Sequence, residues 1–227
     1  MKICVIVNFM MTFKSFCLHL RGLSYRIMKF PRKWYHAIKA RRNKNLTATI
    51  ICNNCTAGFM LHDLSMKFRT PTINTLFYSF EDFFLFVNHL KEFQNAQIKE
   101  INSPYSYPVG LLQTECEGVK IGFVHYSSYK EAVKAWKERF SRVNFSNLYV
   151  IYEGIDISET QVDKLANLSY RKAILSSKNE ELERRYPFYH GFSFYSKWRP
   201  GLIGDYKYWL SVRRNLDDFD YIAFLNE

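Results

Sequence analysis

The sequence predicts an α/β domain: a mixed β-sheet with helices on both faces, three layers deep, and a β-hairpin at its centre. Strand-like apolar runs alternate with segments whose apolar residues recur at helical spacing. Two consecutive strand-like runs, 109–116 and 119–126, flank Glu117-Gly118, a hairpin signal. The 227 residues suit one domain with a core that needs no staples, and 9 Gly with 6 Pro argue against long linkers.

In chain order, residues 1–45 read as a basic N-terminal arm and 46–227 as a single α/β domain. The first 27 read as an extension, because Met28 opens a more ordinary start, MKFPRKWYHAIKARRNK. Residues 31–42 predict a short basic helix with Pro in its first turn and Trp34 and Ile38 on one face. Residues 46–52, rich in Thr and Ile, predict a strand, and 56–64 a short helix. Ser79 with Asp82 marks a helix start, and Phe83, Phe84, Phe86, Val87, Leu90 and Phe93 give it a core stripe through Asn95. After the hairpin, Ser128 and Glu131 form a capping-box pattern opening a helix with Ala132, Val133, Trp136 and Phe140 inward. A strand at 147–152, a helix started by Ser158 and Gln161, a strand at 171–176 and a helix at 219–225 complete the expectation.

The net charge of +11 is unevenly placed: residues 1–62 carry eleven Lys or Arg and no acid, and the first carboxylate is Asp63. Such an arm suits anionic lipid, nucleic acid or phosphate-bearing substrates. Arg32, Lys33, Lys39, Arg41, Arg42 and Lys44 are its candidate membrane or phosphate contacts. Five cysteines, an odd number at irregular spacing, suit a reducing compartment better than a disulfide framework. The expected location is therefore the cytoplasm, at the inner face of the membrane if the arm binds lipid. The apolar run 3–13 is short of the about 20 residues that span a bilayer, and it lacks a small-residue cleavage site.

The chemistry centres on CNNCTAGFM, residues 52–60, where a strand hands over to a helix. Cys52 and Cys55 have zinc-knuckle spacing, but no second pair follows, so no metal site is expected. A redox pair needs both thiols at a helix opening, and Cys52 ends a strand. Cys55, in the turn into a helix, fits a nucleophile, since helix N-termini favour a thiolate. His125, at the end of a strand, would be its base, and Asn53 and Asn54 would orient it or donate to an oxyanion. The bland alternative is a buried structural Cys and a hydrogen-bonded His. Gly58, which permits close approach, with Tyr126, Arg139 and Arg142, are the candidate substrate contacts. His62-Asp63 reads as part of a site or as the solvated face of a short helix, Arg184-Arg185 and Arg213-Arg214 as bidentate phosphate binders or, by default, surface residues, and the acids of Glu153-Gly154-Ile155-Asp156 bind sugar hydroxyls or only cap a helix. No GxGxxG, Walker loop, HExxH or GxSxG is present.

The segments IICNNCTAG, PTINTLF, YPVG, FVHYSSYKEAVKAWKERFSR, NLYVIY and FDYIAFLNE, in that order, resemble the bacterial family called domain of unknown function 1919. Its members include proteins described as exopolysaccharide biosynthesis proteins. The resemblance covers residues 29–227 and implies an α/β domain with a cytoplasmic role in surface-glycan synthesis. It departs at Ala57-Gly58, where members usually carry two glycines, and at EGIDIS, where an Asp-Arg-Asp-like loop is usual. The order Cys55, His125, Arg-rich helix is also similar to papain-like and capsule-locus acyltransferases. Two readings result. One is a polysaccharide-biosynthesis transferase that moves an acyl or related group from a donor such as coenzyme A onto a glycan precursor. The other is a non-catalytic glycan or nucleotide-sugar binding module in which Trp198, Tyr206, Tyr208 and Trp209 stack on sugars. Nucleic acid is not the expected partner, because only the basic charge speaks for it.

Overall fold

The computed structural model describes residues 2–115, 117–197 and 201–227. Cys116 and Trp198 lie outside the described residues. The chain opens with α1 (Lys2–Arg42), a longer helix than expected, with Pro31 inside it rather than in its first turn. There follow β1 (Thr49–Cys52), α2 (Thr56–Asp63), β2 (Leu76–Phe77), α3 (Phe80–Asn88), α4 (Leu90–Phe93) and β3 (Gln97–Glu100). The second half runs β4 (Val109–Gln113), β5 (Gly118–Gly122), α5 (Tyr129–Phe140), β6 (Leu148–Glu153), α6 (Glu159–Ala166), β7 (Arg171–Ser177), α7 (Glu180–Arg185) and β8 (Tyr189–Phe192). Short 3-10 turns at Ser193–Lys197, Leu202–Gly204 and Asn215–Asp218 lead to α8 (Tyr221–Asn226).

The α/β class holds, and the strands sort into two four-stranded sheets where one mixed sheet was expected. One is parallel, in the order β1-β6-β7-β8, and the other is antiparallel, in the order β2-β5-β4-β3. The reason lies in the connections. Helices α6 and α7 carry the chain from β6 to β7 to β8 as crossovers, which make parallel neighbours, whereas the tight β4–β5 connection can only pair antiparallel. A backbone bond from Phe77 N–H to the Asn53 carbonyl (2.9 Å) ties the two systems at the end of β1.

Strand alternation gives the parallel sheet two buried faces. Ile51, Val150 and Ile174 join a core with Phe83, Phe86, Trp136, Phe140, Val162 and the inner face of the antiparallel sheet (Leu112, Val119, Ile121). Ile50, Cys52, Tyr149, Ile151 and Leu175 face the other way, onto Met60 and Leu61 of α2 and Tyr221, Ile222 and Leu225 of α8. The expected helix from Ser79 to Asn95 breaks at His89, whose φ of −113° and ψ of 29° leave the helical region. Ser158 and Gln161 complete their capping box, but Ser128 forms only half of one: it accepts from Glu131 N–H, while the Glu131 carboxylate takes the Ser127 hydroxyl at 2.9 Å. Strand β5 stops at Gly122, so His125 sits in a turn beyond it.

Candidate functional site

The Cys-Asn-Asn-Cys junction lies at the carboxyl end of β1, the edge of a parallel sheet where α/β folds gather ligands. Its polar groups are spent on one another. Asn53 Nδ2 donates to the Glu153 carbonyl at 2.8 Å, and Glu153 N–H donates to Asn53 Oδ1 at 2.8 Å, so the side-chain amide extends the β1–β6 ladder by one rung. Asn54 donates to Glu153 Oε2, and its Oδ1 accepts from Thr56 N–H at 3.0 Å, opening α2 in place of a side-chain cap from Cys55. Tyr195 OH donates to Glu153 Oε1 at 2.7 Å. Glu153 is thus a buried carboxylate, held by donors from two other segments. Thr72 Oγ1 accepts from Cys52 N–H at 3.1 Å, wrapping the loop before β2 around the strand end.

Both thiols are the opposite of activated. Burial pushes Cys52 up to about 12 and Cys55 up to about 11. For Cys55, backbone hydrogen bonds from Asn74 and Thr75 work against burial, and the Glu153 charge works with it. The expected pull of the α2 N-terminus toward thiolate is overridden by desolvation. His125 is exposed, and among the described residues no hydrogen bond joins it to Cys55. Its neighbour Tyr126 is the residue that feels the thiol: burial raises its phenol, Arg139 lowers it, and Cys55 adds a smaller upward push.

The expected substrate contacts act as clamps. Arg139 donates to the Ile73 carbonyl at 3.1 Å and to Tyr126 OH, and Arg142 Nε donates to the Phe68 carbonyl at 3.1 Å, together holding the 68–75 loop. A Cβ on Gly58 would meet only Ile73 Cδ1 at 3.8 Å, so no tight approach requires glycine there.

The basic arm also differs from expectation. Arg32 and Lys39 are each 6% exposed and point into the protein rather than out to a membrane surface. Lys39 pairs with Asp217 and Tyr221 OH, because the acids of the body draw the arm's inner face inward. Lys33, Arg41, Arg42 and Lys44 remain exposed. Asp63, for which a solvated helix face was one of two readings, is fully buried: Arg214 Nε donates to its Oδ2 at 2.8 Å, and His36 Nδ1 lies 3.3 Å from its Oδ1. Arg214 is therefore a core cation, and burial holds His36 below the ordinary histidine range against the pull of Asp63. Arg213 keeps to the surface beside Asp218.

Above this ion pair opens a pocket of about 550 Å³ lined by the rings of Tyr25, Phe59, Tyr206, Tyr208 and Trp209, by Arg32, Lys207 and Arg214, and by the Asp205 carboxylate with Ser24, Gly201 and Gly204. Tyr208 and Trp209 are 76% and 48% exposed. The Arg32 guanidinium lies 3.6 Å over the Tyr206 ring and 5.8 Å from that of Tyr25. It donates to the Ser211 and Trp209 carbonyls at 3.0 and 2.8 Å. Lys207 pairs with Asp218 and Arg214 with Asp63, but among the described residues Arg32 meets no carboxylate in its hydrogen bonds. The dense aromatics at 206–209 were legible in the sequence; Tyr25, Phe59 and Arg32, far away in the chain, carried no signal for this place. Among the described residues no group of three His, Cys, Asp or Glu side chains is arranged to hold a metal ion. No described helix is long and apolar enough to cross a membrane.

The family described as Domain of unknown function (DUF1919) matches residues 26–226, and the chain belongs to it. The chain is similar to an uncharacterized protein of Haemophilus influenzae, 27% identical over 202 residues that cover 88% of this chain and 94% of that protein.

Proposed function

We propose that this family member binds a nucleotide sugar or glycan precursor of a surface polysaccharide, in the cytoplasm, through the aromatic pocket. One observation carries the reading: the buried Arg32, which among the described residues donates to backbone carbonyls and to no carboxylate, lies among stacked and exposed rings. Buried charges are normally paired, and the Tyr206 face compensates Arg32 only in part. An anionic group completes such a site, and flat exposed rings offer stacking surfaces beside it. A diphosphate-linked sugar supplies both, which favours a nucleotide sugar over a neutral glycan. The pocket has the volume usual for such ligands. The free thiols of Cys52 and Cys55 support a reducing compartment.

The group-transfer reading retains one supporting observation: Cys55, unlike Cys52, is partly exposed at the opening of α2. It would need a base that the resting geometry does not place beside the thiol, and an acyl donor such as coenzyme A. Binding is therefore the better supported role. Calorimetric titration with uridine diphosphate-glucose should give saturable binding, at least about tenfold weaker for Arg32→Gln with the melting transition retained. No saturable heat with nucleotide sugars or oligosaccharides would remove the reading.

A further inference from the structure

Helix α1 is amphipathic in an inverted sense. Its inward stripe is largely polar: Ser24, Arg32, Lys39 and Asn43 are buried along with Met28, at spacings of three to four residues or their multiples. The outward stripe is apolar. Leu23, Ile27, Phe30 and Trp34 are 48%, 59%, 78% and 66% exposed, and steps of four, three and four residues put them on one line of the helix. Arg26, Lys29 and Lys33, all exposed, flank that line on one side, and Arg41 ends it. No acid occurs in residues 1–62.

We infer that this outward face docks on an anionic lipid bilayer. Leu23, Ile27, Phe30 and Trp34 enter the boundary between headgroups and acyl chains, and Arg26, Lys29 and Lys33 meet the phosphates. An apolar line bordered by cations, with aromatic side chains at the level of the headgroups, is the pattern of a helix lying in the interface. The described helices offer no span, so the contact is peripheral. The same line of residues could pair two helices, but a second copy would bring basic flank against basic flank, with no acid in the arm to relieve the repulsion. Nucleic acid would use the cations and leave the apolar line uncovered. This assignment is independent of the pocket reading. It replaces Arg32 and Lys39, which face inward, with Arg26 and Lys29 as lipid contacts and retains Lys33.

The test is co-sedimentation of the full chain with phosphatidylcholine vesicles made with and without phosphatidylglycerol. Two triple variants are compared: Ile27→Gln/Phe30→Gln/Trp34→Gln and Arg26→Gln/Lys29→Gln/Lys33→Gln, each checked for an unchanged melt. The wild type should pellet with anionic vesicles and lose binding with salt. The basic variant should bind about 100-fold more weakly, from about 1 kcal/mol per residue. The apolar variant should lose binding even at low salt. Undiminished pelleting of a folded apolar variant overturns the inference. So does a wild type that ignores anionic vesicles, whether it stays monomeric or forms a dimer that the apolar substitutions dissolve.

Discussion

At the cysteine junction Asn53, Asn54, Thr72 and Tyr195 are bonded to β1, α2 and Glu153, and both thiols are held protonated by burial. At the aromatic pocket the rings of Tyr208 and Trp209 are exposed, and the Arg32 charge is compensated only in part, by the Tyr206 face and two backbone carbonyls. The first region has a memorable motif and little unspent hydrogen-bonding capacity. The second has no motif, but it has exposed rings and, among the described residues, a buried arginine whose hydrogen bonds go to backbone carbonyls rather than to a carboxylate. A ligand needs the second condition, and the contrast shows that a conspicuous residue pattern and chemical availability are separate properties.

The comparison breaks most sharply at the ion pair beneath the pocket. Asp63→Ala leaves the largely buried Arg214 guanidinium without its carboxylate, with the Gly204 carbonyl and the Tyr206 and Phe59 rings around it, and should cost about 3–5 kcal/mol of unfolding free energy, as for other broken buried pairs. A loss under about 1 kcal/mol in denaturant melts would show that the pocket floor is not built on this pair. At the junction, Asn53→Ala removes both bonds to the Glu153 backbone and should cost about 2–4 kcal/mol, since each stranded buried group costs about 1–3. A stable Asn53→Ala protein that had lost ligand binding would reverse the roles assigned to the two regions.

The thiols sharpen the contrast through pH. Raising Cys55 from 9.0 to about 11 lowers its thiolate fraction near neutrality, so alkylation there should run about 100-fold slower than for a free thiol and climb only toward pH 11. A group whose folded pKa is raised contributes fully below its unfolded value and loses that contribution as pH rises, here between 9.0 and about 11. Fast labelling of Cys55 below pH 7, mapped by mass spectrometry and abolished by His125→Ala, would restore the nucleophile. The smallest stability effect belongs to Tyr208→Ala, within about 0.5 kcal/mol, because its exposed ring contributes little to the core.

Much of the fold was legible where patterning is local. The capped helix after Ser158, the stripe of Ala132, Trp136 and Phe140, and the apolar runs that became β1, β6 and β7 can be read from neighbouring residues. Strand β3 could not be, because Gln97–Glu100 is half charged and buries only part of Ile98, nor β8, four residues with glycine among them. The division into two sheets depends on pairings between distant segments, such as Thr49 with Leu148. The same holds at the sites. The position of Asn53 and Asn54 at a strand end was legible, but their shared partner Glu153 is about 100 residues away, and Asp63 meets Arg214 across 151 residues. Helical spacing put Trp34 near Ile38, while the line of Leu23, Ile27, Phe30 and Trp34 became visible only once α1 was seen to continue through Pro31.

The most direct test of the central claim is one titration of uridine diphosphate-glucose into three proteins: wild type, Cys55→Ser and Tyr208→Ala/Trp209→Ala. Wild type and Cys55→Ser should bind alike, and the double variant should show no saturable heat while melting normally. Loss of binding in Cys55→Ser with full binding in the double variant would contradict the account and return the site to the cysteine junction.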